Sequence, residues 1–175
     1  MKNIVLIGMM GSGKTTCGTI LSQKLGRKLV DADITIQKRE GRTTTEIFAV
    51  DGEGYYRDLE TALCHELEDQ SDLIIATGGG TPCHADNMAW INAHGVSIHL
   101  DVSLPCLLQR AAHSRHVRPL LAEMSDEERE SHIRRQLAER LPVYAQAHHR
   151  LEADNPDIQA LAQRLAAVAQ NVTKT

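Results

Sequence analysis

Gly8-Met9-Met10-Gly11-Ser12-Gly13-Lys14-Thr15 follows directly after the apolar run Ile4 to Ile7, and this stretch decides the fold class. It matches the phosphate-binding pattern GxxxxGK[ST] between a predicted strand and a predicted helix, which is the context that the pattern requires. Glycines without Cβ atoms let backbone N–H groups converge on an anion. Lys14 would then reach the β and γ phosphates, Thr15 would ligate Mg²⁺, and the helix N-terminus would face the anion. A glycine-rich turn that binds nothing is the weaker alternative.

Composition limits the classes of partner. The chain has 175 residues, of which 42% are hydrophobic, and no Pro/Gly/Ser-rich linker divides it, so we expect a single domain spanning 1–175. Nineteen basic and 23 acidic residues give a net charge of −4, which argues against a nucleic-acid or anionic-membrane surface. Only 3% of the residues are aromatic, so a stacking platform for bases is not expected. We therefore predict small-molecule partners, and we expect a monomer.

The cysteines and the N-terminus indicate a compartment. The four cysteines are widely separated and show neither CxxC nor Cys/His ligand spacing, so we predict reduced thiols without a zinc site or a disulfide framework. No cationic segment precedes a long apolar stretch, so we predict neither a signal peptide nor a transmembrane span. A cytoplasmic location is the expectation.

Short apolar runs alternate with longer helical patterns along the chain. We predict strands at Asn3 to Ile7, Arg27 to Val30, Leu73 to Ala76 and Val96 to Leu100, and a weaker one at Arg150 to Glu152. Gly26 is placed to cap the first helix, and Ser125-Asp126-Glu127-Glu128 is a capping box for a later one. Strands that alternate with crossover helices predict an α/β fold, with a parallel sheet covered by helices on both faces. Ligands of such sheets bind beyond the carboxyl ends of the strands.

Two carboxylates follow the second predicted strand, in Asp31-Ala32-Asp33. Alternation in an extended segment would place both on the same side, at the edge of the sheet where the phosphate loop lies. One could serve Mg²⁺ and the other could orient an acceptor hydroxyl. The alternative is that Asp33 caps the helix that starts at Ile34, although capping explains one aspartate and not both.

Thr77-Gly78-Gly79-Gly80-Thr81 follows the third predicted strand. Three consecutive glycines lose much conformational entropy on folding, so a simple turn explains them poorly. Free backbone amides that face an anion or hydroxyl groups would explain them, and close packing of strand against helix is the alternative.

Three arginines are candidates for binding anions. Arg57 has Glu60 three residues on, which is on the same helix face and could hold the guanidinium in place. Arg118 lies in a polar stretch, and Arg140 lies just before Leu141-Pro142. Each arginine taken singly is more often a solvated surface residue, so the residues alone leave these roles open.

In combination, these segments resemble the shikimate kinase family, within the nucleoside-monophosphate-kinase-like group of phosphate-loop folds. The resemblance covers nearly the whole chain. The matching segments are Gly8 to Thr15, Asp31-Ala32-Asp33, Gly41-Arg42, Ile47-Phe48, Tyr56-Arg57 with Glu60, Gly78-Gly79-Gly80, Arg118-Pro119-Leu120-Leu121, and Arg140-Leu141-Pro142-Val143-Tyr144. The chain departs from the usual pattern at Tyr56, where the family usually has Phe, and at Thr19, where it often has Arg.

The resemblance implies a fold and a reaction. The fold is a three-layer α/β/α phosphate-loop kinase fold with a central five-stranded parallel sheet, substrate-binding helices at about 33–62 and a mobile lid at about 112–125. The reaction is ATP-dependent phosphorylation of the 3-hydroxyl of shikimate to shikimate 3-phosphate with release of ADP, a step of chorismate and aromatic amino-acid biosynthesis.

The resemblance also implies roles for individual residues. Lys14, Asp33 and Arg118 would be catalytic, with Asp33 holding the acceptor hydroxyls and acting as the base. The substrate would be bound by Asp33, Arg57, Gly78, Gly79, Gly80 and Arg140. ATP would be bound by Gly11, Ser12, Gly13, Lys14, Thr15, Thr16, Arg110 near the adenine and Arg118 from the lid. Thr15 and Asp31 would serve Mg²⁺.

Two other functions are compatible with the phosphate loop. One is a different small-molecule kinase of the same fold, such as a gluconate kinase or a nucleoside-monophosphate kinase. The other is a non-catalytic nucleotide-binding switch. The joint presence of Lys14, Asp33, Arg57, Arg118 and Arg140 disfavours the switch.

Overall fold

The computed structural model describes residues 2–113, 124–154 and 158–172. These residues form one five-stranded parallel sheet in the order β2-β3-β1-β4-β5. The strands are β1 (Asn3–Ile7), β2 (Lys28–Asp31), β3 (Leu73–Ala76), β4 (Gly95–Asp101) and β5 (His149–Glu152). The five predicted strands are confirmed, with ends that differ by at most one residue, and the weak last strand is the edge strand β5.

Helices connect the strands and flank the sheet. The helices in the described part of the chain are α1 (Lys14–Leu25), α2 (Ala32–Glu40), α3 (Thr44–Val50), α4 (Gly52–Glu66), α5 (Asn87–His94), α6 (Leu104–His113), α7 (Asp126–Tyr144) and α8 (Ile158–Val172). A short 3₁₀ turn, Thr81–Cys83, follows β3. The predicted three-layer α/β/α fold is thereby confirmed.

Strand β1 is the centre of the core. All five of its residues are buried, and it pairs with β3 on one side and with β4 on the other. A strand covered by helices on both faces is apolar throughout instead of alternating, which is why Ile4 to Ile7 appears in the sequence as an unbroken apolar run. Leu6 pairs with Ala76 and Ile98, and Ala76 in turn pairs with Asp31. This register places the ends of β1, β2 and β3 at one edge of the sheet.

The predicted helix ends are confirmed at two places. Gly26 caps α1 in the left-handed conformation with φ of 66°, which glycine adopts without steric cost. Ser125 accepts from the backbone N–H of Glu128, and the Glu128 side chain accepts from the backbone N–H of Ser125, so the capping box forms as predicted.

The prediction that Asp31-Ala32-Asp33 is extended is wrong, because α2 already begins at Ala32. The cap is Asp31, whose Oδ1 accepts from the backbone N–H of Ile34 at 3.1 Å. Asp33 therefore lies in the first turn of α2 and is not the capping residue. Asp31 ends the strand and starts the helix, which leaves the side chain of Asp33 available for other contacts.

The lid is the part of the prediction that lies mostly outside the described residues. Of the expected range 112–125, residues 114–123 are not described, and they include Arg118. Within the described residues, no helix combines the length and the apolar character that crossing a membrane would need.

Candidate active site

The phosphate loop joins β1 to α1. Its glycines at positions 8, 11 and 13 have φ of 142°, 82° and 95°, a region that disfavours residues with a Cβ. A Cβ on Gly8 would also lie only 2.7 Å from the carbonyl oxygen of Leu100. Gly13 is the cap of α1, so the loop ends at the positive end of that helix. The backbone is therefore shaped to approach an anion closely.

Lys14 folds back onto this loop. Its Nζ donates to the carbonyl oxygens of Gly8 and Met9, both at 2.9 Å, and to Ser12 Oγ at 3.4 Å. The side chain is largely buried, so the ammonium group is held at the mouth of the loop. These bonds keep the cation where the phosphates of a nucleotide would lie.

Thr15 and Asp31 bring two side-chain oxygens together beside the phosphate loop. Thr15 Oγ1 donates to Asp31 Oδ2 at 2.6 Å, which links the first turn of α1 to the end of β2. The hydroxyl hydrogen points at the carboxylate, so the lone pairs of Thr15 remain available to a cation. Mg²⁺ prefers oxygen ligands and keeps several from water and phosphate, so this donor set fits it. Thr16, the next residue of α1, is exposed beside it.

Asp33 is held by a tyrosine. The hydroxyl of Tyr56 donates to Asp33 Oδ1 at 2.7 Å, and Thr44 Oγ1 donates to the Tyr56 hydroxyl at 3.3 Å. Tyr56 is 1% exposed, whereas Asp33 is half-buried and can be reached from the site. This contact joins α2, α3 and α4 around one carboxylate.

Arg57 is fixed by two carboxylates of its own helix. Its Nη1 donates to Glu60 Oε2 and its Nη2 to Glu53 Oε1, each at 2.6 Å. Glu60 is fully buried and also accepts from Thr81 Oγ1 at 2.5 Å. Burial raises the pKa of the Glu60 carboxyl, and the Arg57 guanidinium opposes that rise. Glu60 holds the guanidinium fork, as the spacing of three residues suggested.

The three glycines after β3 permit close approach of side chains. A Cβ on Gly78 would collide with Glu60 and lie 3.1 Å from Asp33 Oδ1, and a Cβ on Gly80 would collide with the guanidinium of Arg57. A Cβ on Gly79 would lie 3.2 Å from both Arg140 Nη1 and the backbone nitrogen of Met10. The glycine run therefore lets the carboxylates of Glu60 and Asp33, both arginines and the phosphate loop approach one another closely.

Arg140 and Tyr144 reach the same place from α7. The Tyr144 hydroxyl donates to the carbonyl oxygen of Gly79 at 2.5 Å and lies 3.8 Å from Met9 Sδ. Arg140 Nη1 lies 4.0 Å from the same sulfur. Burial raises the pKa of Tyr144, so its hydroxyl stays a neutral donor. The Met9 side chain thus links the phosphate loop to Arg140 and Tyr144 of α7.

A cavity of about 350 Å³ opens between the two arginines. It is lined by Glu53, Gly54, Arg57, Gly80, Cys83, His84 and Arg140. Cys83 and His84 were not predicted from the sequence as lining residues, although their position directly after the glycine run was the available signal. The contacts of the Tyr56 and Tyr144 hydroxyls were not predicted either, because their partners lie 23 and 65 residues away in the chain.

Arg110 lies on the other side of the phosphate loop. Its Nη1 donates to the carbonyl oxygens of Gly11 and Ser12 at 3.1 and 3.3 Å, and its Nη2 donates to that of Ala153 at 2.7 Å. The arginine is therefore next to the loop, in contact with the segment that follows β5. Arg118 lies outside the described residues.

A parallel α/β sheet, a phosphate loop and an adjoining cavity with two arginines and a carboxylate define a phosphate-loop kinase of small molecules. The profile of the shikimate kinase family matches residues 10–170. The chain belongs to the shikimate kinase family.

Similarity to individual relatives supports this family assignment. A shikimate kinase of Phocaeicola vulgatus is 40% identical over 154 residues, which cover 88% of this chain and 88% of the relative. The crystal structure of shikimate kinase from Bacteroides thetaiotaomicron has a TM-score of 0.91 at 35% identity and covers 97% of this chain and 98% of that one. Shikimate kinase from Acinetobacter baumannii in complex with shikimate has a TM-score of 0.89 at 34% identity, with 98% and 94% covered. The prediction that the chain is a kinase enzyme of this family is confirmed.

Proposed function

We propose that this chain transfers the γ-phosphoryl group of ATP to the 3-hydroxyl of shikimate, giving shikimate 3-phosphate and ADP on the route to chorismate and the aromatic amino acids. One observation carries the proposal: Asp33, Arg57 and Arg140 all lie against the glycine run 78–80, which also approaches Met10 of the phosphate loop. An acceptor bound by these three side chains would lie beside the phosphates of a bound nucleotide.

The two arginines suit the carboxylate of the acceptor. Guanidinium groups bind carboxylates with two parallel hydrogen bonds, which gives both affinity and orientation. Arg57 and Arg140 line the same cavity, and Glu53 with Glu60 already orients Arg57. The backbone of Gly78, Gly79 and Gly80 would bind the remaining polar groups of shikimate. The segment at about 33–62, which includes α3 and most of α2 and α4, would form the acceptor-binding part of a single domain.

Asp33 is the proposed base. As the bond between the 3-oxygen of shikimate and the γ-phosphorus forms, the bond from that phosphorus to the bridging oxygen of ADP breaks. The hydroxyl proton passes to the Asp33 carboxylate, late in the transfer, because the transition state of phosphoryl transfer is loose. Orientation of the hydroxyl by a fixed carboxylate accounts for much of the rate in such reactions.

The nucleotide would occupy the other half of the site. The amides of Gly11, Ser12, Gly13, Lys14, Thr15 and Thr16 would contact the phosphates, and Lys14 would exchange its carbonyl partners for the β and γ oxygens. Arg110 would contact the adenine from its position beside Gly11 and Ser12. Arg118 would close over ATP from the lid and exclude water, so that the phosphoryl group passes to shikimate and not to solvent.

Mg²⁺ is the proposed cofactor, held by Thr15 directly and by Asp31 directly or through water. The 2.6 Å bond between these two oxygens supports a shared role in binding one cation beside the loop. The ion would neutralise charge on the β and γ phosphates. Asp31 keeps Thr15 oriented, since the threonine hydrogen is already committed to the carboxylate.

The proposal also covers partners and location. We infer a monomer, with ATP and shikimate as its small-molecule partners. A net charge of −4 supports the absence of a nucleic-acid partner and of a membrane partner. The four cysteines are free thiols, which suits the reducing cytoplasm.

A coupled ADP-release assay tests the proposal. ATP and Mg²⁺ are supplied with shikimate, gluconate, AMP or CMP, and with no acceptor as the control. We expect turnover with shikimate alone, and loss of that turnover by orders of magnitude in Asp33→Asn with ATP binding retained. Equal ADP release with every acceptor, or an Asp33→Asn variant with normal transfer, would contradict the assignment.

A further inference from the structure

The hydroxyl of Tyr56 sits where it can fix the geometry of the acceptor site. It donates to Asp33 Oδ1 at 2.7 Å, a length typical of a strong hydrogen bond to a carboxylate. Its neighbour Tyr55 has a different environment: that side chain is 40% exposed and its hydroxyl lies 3.3 Å from Glu40 Oε2. Of these two adjacent tyrosines on α4, Tyr56 is buried and contacts Asp33, whereas Tyr55 is exposed and contacts Glu40.

The ring of Tyr56 cannot move freely. It meets the ring of Phe48 edge to face, with centroids 5.1 Å apart and an angle of 80° between the planes. The guanidinium of Arg57 lies 6.0 Å from both ring centroids. Thr44 Oγ1 donates to the Tyr56 hydroxyl at 3.3 Å and adds a contact at the polar end. Tyr56 is thus held both at its ring and at its hydroxyl oxygen.

The hydroxyl also remains a donor. Burial and the neighbouring charge of Asp33 raise the pKa of Tyr56 above its ordinary value. Tyr56 is therefore neutral near neutral pH. Its single hydrogen points to Oδ1, which restricts rotation of the carboxylate about the bond that carries it.

We propose that Tyr56 is a positioning residue for phosphoryl transfer: by holding Oδ1 of Asp33, it turns Oδ2 toward the hydroxyl of the acceptor. This inference rests on the proposed role of Asp33 as the base. The Tyr56 hydroxyl acts through Asp33, and neither the arginines nor the phosphate loop depends on it. Its contribution belongs to the rate of transfer and not to the binding of ATP.

The test compares variants that each remove one hydroxyl. Tyr56→Phe deletes the oxygen and keeps the ring, and Tyr55→Phe is the matched control on the exposed face of the same helix. We expect Tyr56→Phe to lower kcat roughly tenfold, less than the ~10²-fold loss that a full misplacement of a reacting group can cause. The KM for ATP should stay near its wild-type value, and the thermal midpoint should fall by only a few degrees, as the loss of one hydrogen bond to a charged group predicts. Tyr55→Phe should leave kcat and both KM values unchanged.

Thr44→Val supplies a second, independent variant, because it removes the hydrogen bond to the Tyr56 hydroxyl without touching Tyr56 or Asp33. It should lower kcat in the same direction by a smaller factor. Unchanged kcat in Tyr56→Phe overturns the inference. So does a loss of kcat that comes with a KM for ATP raised by a similar factor, since that pattern would indicate a purely structural role.

Asp33→Asn separates this inference from the proposed function. If Asp33→Asn retains wild-type transfer, the base assignment fails and the role of Tyr56 fails with it. If Asp33→Asn is inactive while Tyr56→Phe is normal, only the role of Tyr56 fails. The double variant gives a further check: when Tyr56 acts through Asp33, Tyr56→Phe should have no additional effect on the residual rate of Asp33→Asn.

Discussion

Thr15 Oγ1 and Asp31 Oδ2 are joined by a 2.6 Å hydrogen bond that connects the helix after the phosphate loop to the end of β2. The same aspartate caps α2 through its other oxygen, at 3.1 Å from the backbone nitrogen of Ile34. Asp33, two residues later, contacts Tyr56. The proposed metal site and the proposed base are therefore positioned by one short segment.

Substitution of Asp31 should separate its two roles. Asp31→Asn keeps a carbonyl oxygen that can cap α2 but removes the charge that faces the metal. Asp31→Ala removes both, and the lost cap should cost about 1 kcal/mol of stability. We expect both variants to need more Mg²⁺ for half-maximal activity, and only Asp31→Ala to unfold markedly earlier in urea. A Mg²⁺ dependence like that of the wild type in both variants would remove Asp31 from the metal site.

Arg140→Ala should raise the KM for shikimate by roughly ten- to a hundredfold, since a hydrogen bond to a charged group contributes about 1.5–3 kcal/mol. The KM for ATP should change little. Steady-state kinetics with each substrate varied in turn measures both values. The control is Arg39→Ala, which removes an exposed arginine whose ion pair with Glu66 is 2.7 Å long. An unchanged KM for shikimate in Arg140→Ala would contradict the arginine clamp.

Arg57→Ala should differ from Arg140→Ala in its effect on stability. Removing Arg57 leaves Glu60 fully buried without its guanidinium partner, and breaking a buried pair from one side costs roughly 3–5 kcal/mol. We expect a raised KM for shikimate together with a clear fall in the urea midpoint. If Arg57→Ala proves as stable as the wild type, the pair contributes less than its burial indicates.

Gly80→Ala should displace Arg57 without straining the backbone. Gly80 has φ of −87°, which alanine adopts readily, but a new Cβ would collide with the guanidinium of Arg57. We expect the KM for shikimate to rise and the thermal midpoint to fall toward that of Arg57→Ala, because the displaced guanidinium leaves buried Glu60 without its full ion pair. The double variant Gly80→Ala with Arg57→Ala should behave like Arg57→Ala alone. Additive effects would show that Gly80 acts through its own backbone.

Stability should depend on pH through His99. Burial lowers the pKa of this histidine, Arg150 and Lys14 lower it further, and Asp101 opposes them. The unfolded chain then takes up a proton at higher pH than the folded chain does. The contribution of neutral His99 to the free energy of unfolding is therefore fully present above about pH 6.5. It is lost as the pH falls below that value, at up to ~1.4 kcal/mol per pH unit.

Urea unfolding between pH 5 and pH 8 measures this slope. His99→Phe should flatten it, because the variant cannot titrate, whatever its absolute stability. His65→Gln, at an exposed position of α4, is the control and should keep the wild-type slope. Equal slopes in the wild type and His99→Phe would exclude His99 as the source.

The sequence predicted the fold well because its strongest signals are local. Apolar runs, the phosphate loop and the capping residues Gly26 and Ser125 act within a few residues of themselves, and all of them appear in the structure where they were expected. The prediction of an extended conformation at Asp31-Ala32-Asp33 was wrong because it missed one of these local signals. Asp31 was considered as a ligand and not as a cap, and the cap determines where α2 begins.

Long-range contacts could not be predicted in the same way. Met9 occupies a position of the phosphate loop that accepts any residue, yet its sulfur lies near Arg140 and Tyr144, more than 130 residues later. The glycine run was expected to present amides, and the structure adds that each glycine makes room for a particular side chain. Such fits depend on tertiary packing, which no local pattern encodes.

Lys14 has a consequence for the choice of nucleotide. Its ammonium group is bound by two carbonyl oxygens of the loop, so a ligand must compete for it and does not find it free. A neutral nucleoside offers no acceptor better than a carbonyl and would leave the lysine where it is. Terminal phosphates are charged acceptors and would replace the carbonyl oxygens as partners of Lys14. The proposed nucleotide site would therefore discriminate among adenine compounds by their terminal charge, before any part of the adenine is recognised.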